Sequence, residues 1–273
     1  GKWGKVATRY LAPFAMVLAF HALPNEMCCR SSVHRQHSFS WNLMRMPVVV
    51  YILGLTIFSL ATSEFMVAGM MPSLTQAFGV SVTQVGYLIS FYAIGMVIGG
   101  PVLTVGLLKL RVSNKKALLF LLSLYALAQA VAAASSSYDT MAYARFVTGV
   151  AAAACFGASL AICAEVVAVT SRARAASIVV GGLMLANVLG VPAATYIDQY
   201  WGWRASFWLV VTLVAVCGLL IVFLVPRSQA AAAPSLGTAL AEFKKRDLLA
   251  AYLTSGLIIG AAFAAFSYSA PIL

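Results

Sequence analysis

Residues 47–71 read PVVVYILGLTIFSLATSEFMVAGMM, a run of 25 residues with a single charge, Glu64. About 20 apolar residues, at about 1.5 Å of helical rise each, cross a hydrocarbon core about 30 Å thick. The run is therefore expected to be a transmembrane helix with a carboxylate well inside it. An ionisable group at that depth costs on the order of 3 kcal/mol or more, and such groups are usually kept for function. Some other part of the chain has to answer that charge.

Composition extends the same reading to the whole chain. Of its 273 residues, 62% are hydrophobic and 9% charged, whereas a soluble domain carries about 25% charged residues. The fold class expected is all-α, a polytopic membrane protein. The net charge of +11 does not indicate nucleic acid, because the cations fall in short clusters between apolar runs and form no basic stripe with interleaved aromatics. Cys155, Cys163 and Cys217 lie inside apolar runs and read as small core residues. Cys28 and Cys29, near His34 and His37, lack the paired spacing of a zinc site. No nucleophile–base set, phosphate loop or metal-ligand constellation points to an enzyme, so no cofactor or metal is expected.

Residues 1–43 differ from the rest of the chain. They mix charges with a short apolar run, 10–22, and hold all three histidines. That run is short for a span and lacks a clear small-residue cleavage site after it. The stretch reads as a non-native or poorly ordered extension, with a surface or re-entrant helix as the alternative. The expected spans then lie at about 48–71, 85–108, 117–135, 141–163, 175–197 and 205–225, followed by a linker at 228–247 and a seventh span at 248–273. Residues 44–227 thus form a six-span unit. The segment 72–84 reads as a polar loop. Arg45, the cations between 109 and 116, Arg172, Arg174, Arg227 and the cluster 244–246 precede span one or follow an even-numbered span. Only Arg204 lies on the other side, so the positive-inside rule places the start of span one and the linker in the cytoplasm.

Three charged groups are not explained by loops: Glu64, Arg145 and, at the very end of a span, Glu165. Glu64 and Arg145 each lie about six residues from the expected outer end of their spans, or about 9 Å deep at 1.5 Å per residue. Opposite charges at matching depth offset each other's burial if they meet; the alternative is that each snorkels separately to the interface. Burial favours the neutral form of a carboxyl and a neighbouring guanidinium the charged form. A cavity that opens and closes would alternate those surroundings and let Glu64 take up and release a proton. Glu165, at the inner end of span four, suits a contact with the adjoining loop. Small residues cluster in span two (Gly95, Gly99, Gly100, Pro101) and span five (Gly181, Gly182, Gly190, Pro192). They suit either plain close packing or motion against a second half of the protein.

Four stretches carry a resemblance: TSEFMVAGMMPSL (62–74), YAIGMVIGGPVLT (92–104), RFVTG (145–149) and ANVLGVPAATYIDQYWGWRASFW (186–208). Together they resemble the drug:proton antiporter branch of the major facilitator superfamily, and within it the bacterial arabinose-efflux and chloramphenicol-resistance transporters. The likeness covers about 46–273. It implies that Glu64 matches the first-helix acid tied to proton and substrate coupling, and Arg145 the arginine of the fourth-helix motif. It implies that Gly190 and Pro192 match the fifth-helix antiporter motif, and that Gly100 with Lys115 and Lys116 matches the motif of the loop between helices two and three. Thr104 stands where that motif commonly has an acid, and Ala152–Ala153 where close relatives often have His-Gly. The resemblance implies two six-helix halves about a central cavity. The chain would hold the first half, the linker and helix seven, and would need a C-terminal half to transport. The function implied is proton-coupled efflux of drugs or sugars across the bacterial inner membrane, with lipid and a small molecule as partners. A non-transporting membrane fragment or partner-dependent subunit is the alternative.

Overall fold

A computed structural model describes residues 46–109, 112–226 and short helical pieces between 253 and 261. The extension 1–43, the linker 228–247 and most of the seventh span lie outside the described residues. Among the described residues every regular element is helical: α1 (Val48–Gly69), α2 (Met71–Phe78), α3 (Val82–Lys109), α4 (Asn114–Ala134), α5 (Tyr138–Val166), α6 (Arg172–Leu185), α7 (Val191–Trp201) and α8 (Trp203–Leu224). A π turn at Ala186–Gly190 joins α6 to α7, so Val169–Trp201 forms one membrane-length rod. Among the described residues, six rods are long and apolar enough to cross a bilayer.

The helices begin and end within a few residues of the apolar runs, because in lipid each rod must satisfy its own backbone. One expectation is corrected. The segment 72–84 is not all loop, since Met71–Phe78 is helical. Pro72 suits the first turn of a helix, where its missing N–H is not needed. Gly79, at φ 63°, ends that helix in the left-handed region. Ser81 and Gln84 then bond each other's ends at the start of α3. The π turn has a local cause too: Pro192 removes an N–H that would bond one turn back.

α1 is the most buried of the six rods and packs on α6, α7 and α8, while α3 and α4 both pack on α5. Glycine permits the closest approaches. A Cβ on Gly149 of α5 would strike the Tyr92 carbonyl of α3, and a Cβ on Gly95 would strike the Phe146 carbonyl. Gly99 faces the Val150 backbone, and Gly182 of α6 faces the Gly54 carbonyl of α1. Without a hydrophobic force between helices in lipid, such backbone-to-backbone packing supplies much of the cohesion.

Polar clasps close the two ends. At one end the Lys115 ammonium donates to the carbonyls of Val222 (2.9 Å) and Val225 (2.5 Å) at the end of α8. Asn114 donates to the Glu165 carboxylate on the last turn of α5. Lys115 opens α4, where a cation opposes the helix dipole, but it reaches carbonyls that the end of α8 leaves unpaired. At the opposite end Ser73 donates to Asp198 of α7 at 2.6 Å, and Arg204 donates to the Ser135 carbonyl at 2.9 Å while stacking on Trp203.

Candidate functional site

Arg145 lies seven residues into α5 and Glu64 five residues before the end of α1. The equal-depth expectation therefore becomes contact between the two helices. Arg145 is fully buried at 0% exposure, which rules out snorkelling for this residue. Its Nη1 donates to the Ser63 carbonyl (3.0 Å) and the Ser63 hydroxyl (3.2 Å), and its Nη2 to the Glu64 carbonyl at 3.4 Å. The guanidinium carbon stands 4.4 Å from the centre of the Tyr92 ring, a cation–π contact worth about 2 kcal/mol when desolvated.

The arginine thus grips the backbone of α1 beside the acid. Among the described residues no hydrogen bond or ion pair joins it to the Glu64 carboxyl group. Glu64 is half-buried, while its neighbours Ser63 and Phe65 are buried. A bidentate carboxylate would be the usual answer to a buried guanidinium; here carbonyl dipoles, a hydroxyl and an aromatic face take its place.

Three residues complete this polar core, and sequence reading did not single them out. Tyr92 and Tyr125 are fully packed, and Gln129 is at 0% exposure. Ser63 donates to the Gln129 Oε1 at 3.1 Å. The hydroxyls of Tyr92 and Tyr125, Gln129 Nε2 and Arg145 Nε have no hydrogen-bond partner among the described residues. The signal for Tyr125 and Gln129 was present: two polar-tipped residues four apart in an otherwise apolar rod share one face.

The other expected site residues fall elsewhere. Gly95 and Gly99 pack α3 on α5 inside the same bundle. A Cβ on Gly100 would stand 3.3 Å from the Ala153 Cβ. Pro101 lies within α3 and is exposed. Gly190 packs on Thr62 of α1, and Pro192 is exposed in the first turn of α7. Lys115 is engaged with α8, and Lys116 lies on the first turn of α4. Among the described residues, shallow apolar grooves open between α4 and α5 and between α1 and α6; neither of these is lined by Glu64 or Arg145. No cluster of three metal-ligating side chains occurs among the described residues.

The described residues thus define a polytopic, all-helical membrane bundle with a buried guanidinium beside a half-buried acid. Residues 53–273 match the profile of the Major Facilitator Superfamily, and the chain belongs to that family. It is 33% identical over 230 residues to the inner membrane transport protein YdhP of Escherichia coli K12, covering 84% of this chain and 59% of that protein. It is 34% identical over 236 residues to a chloramphenicol resistance protein of Streptomyces lividans, with the same coverage of 84% and 59%. The putative transporter AraJ of Escherichia coli K12 is 34% identical over 165 residues, 60% of this chain and 41% of that one. The chain therefore spans about three-fifths of the length of the first two relatives. The fold matches the inward-open xylose transporter XylE of Escherichia coli with a TM-score of 0.58 at 16% identity, covering 76% of this chain and 54% of that one.

Proposed function

We propose that this chain forms the first half of a proton-coupled exporter of small molecules, with Glu64 as the group that exchanges a proton and Arg145 as its buried counter-charge. One observation carries the reading: a fully buried guanidinium bonded to the helix that holds the acid, at the acid's own height. An arginine needed only for packing would be matched by a carboxylate or replaced by an apolar residue. This one bonds the backbone of α1 and not the Glu64 carboxyl group, which leaves that carboxyl free to respond to a proton or to a cationic or polar substrate.

The substrate class is small drugs of the chloramphenicol kind, or sugars, by likeness to the relatives named above. The cavity is completed by a second six-helix half that packs on the exposed apolar faces of this one, within the bacterial inner membrane. By the charge rule, α1 starts in the cytoplasm. The gradient of protons, rather than a bound cofactor, supplies the work. Glu64 releases its proton when Arg145 and water reach it, and takes one up when the surroundings dry. A second reading, a membrane subunit that acts only with partner helices, is favoured by the large apolar side chains left exposed on the bundle, among them Val97, Val102 and Phe223.

Efflux of chloramphenicol from cells tests both. The chain joined to six further helices of a relative should lower intracellular drug, and a protonophore should abolish the effect. The chain alone should not lower it. Efflux that survives the protonophore would show that no proton gradient drives it.

A further inference from the structure

α1 carries four serine and threonine side chains, and three of them turn back on their own helix. Thr56 donates to the Ile52 carbonyl, Ser59 to Leu55 and Thr62 to Phe58, each four residues earlier. This is the default for Ser and Thr in a membrane helix. Ser63 is the exception. Its hydroxyl leaves α1 and donates to Gln129 Oε1 on α4 at 3.1 Å, both residues being fully buried. A serine hydroxyl has one hydrogen and two lone pairs. With the hydrogen drawn toward Gln129, a lone pair faces Nη1 of Arg145 at 3.2 Å.

We propose that Gln129 is a positioning residue for Arg145: acting through the Ser63 hydroxyl, it keeps the guanidinium on the backbone of α1 and off the Glu64 carboxylate. The anchor at Ser63 is the stronger of the two. Nη1 makes two bonds there, whereas Nη2 makes one long bond of 3.4 Å to the Glu64 carbonyl. Without Gln129 the Ser63 hydroxyl falls back to its own helix, as its three neighbours do. The planar fork then holds α1 less firmly and can turn to the nearest acid, which is Glu64. A buried amide that could have been a leucine at lower desolvation cost is thereby explained. Its meaning for transport rests on the coupling role proposed above, but the hydrogen-bond chain is testable without transport.

The test uses the full chain in lipid nanodiscs, labelled with nitrogen-15 arginine. The Arg145 guanidinium signals are assigned by their disappearance in Arg145→Lys. In the native chain, Nη1 and Nη2 should give separate signals from a slowly rotating group. Gln129→Leu should speed that rotation about tenfold, as losing one bond to a charged group implies. Ser63→Ala should do the same, Ser63→Thr should restore the slow regime, and Gln129→Leu with Ser63→Ala should be no faster than either alone. Rotation within about twofold of native in Gln129→Leu, well below what loss of such a bond implies, would overturn the proposal. If that variant does not fold, the same result in Ser63→Ala overturns it. Drug efflux measured on the same variants bears on the coupling role alone, so the two ideas can fail separately.

Discussion

At the residue scale the central fact is a guanidinium buried without a carboxylate bonded to it. The carbonyls of Ser63 and Glu64 that it uses lie inside α1 and can keep their helical bonds without it. Removing the charge therefore leaves no orphaned backbone group. Replacing a whole buried ion pair by apolar groups of similar size is often neutral or stabilising, by about 1–4 kcal/mol, and here, among the described residues, the guanidinium has no bonded carboxylate to strand. Arg145→Met is accordingly expected to fold with a thermal midpoint in detergent at or above native, and to lose drug efflux. A midpoint well below native would mark the arginine as a structural element instead. The charges of this core were legible in the sequence, because two ionisable residues in apolar runs at equal depth need no structure to be noticed. The spacing of Tyr125 and Gln129 showed that they share a face but not what that face meets, and Ser63 and Tyr92 carried no signal at all, being polar groups of ordinary kinds. Which face of an all-round apolar helix they occupy is decided by packing, since no polar face orients such a rod.

At the scale of elements, the bundle is held by close backbone approaches at glycine and by cross-helix capping. Gly149→Ala places a methyl against the Tyr92 carbonyl, an atom of backbone that cannot swing away. Overpacking of this kind costs about 1–3 kcal/mol, so the thermal midpoint should fall and the folded yield with it. Gly157→Ala meets open space on the same helix and should be neutral or slightly stabilising, by up to about 1 kcal/mol from helix propensity. Lys115→Met removes the cation from the end of α8 and should destabilise by about 1 kcal/mol, read by the same melt. Apolar runs between cation clusters were enough to locate the six rods. They could not locate α2, whose composition is that of a loop and whose helical form depends on Pro72, Gly79 and the bond from Ser73 to Asp198 of α7. They also could not tell packing glycines from mobile ones: Gly95 and Gly99 prove to seat α3 on α5, and that pairing is set by the fold.

At the scale of the molecule, the described helices form a bundle of the Major Facilitator kind with large apolar faces still exposed, among them Val97, Val102 and Phe223. Lipid covers part of such a surface, and in the proposed transporter a second half covers the rest. In that proposed transporter Glu64 couples a proton to the movement of a substrate. The most direct measurement joins this chain to six further helices of a relative, in proteoliposomes loaded with chloramphenicol. It compares drug movement driven by an imposed proton gradient with exchange of labelled for unlabelled drug at no gradient. Glu64→Gln should abolish the gradient-driven movement and leave the exchange. Gradient-driven movement at the native rate in Glu64→Gln would contradict that coupling.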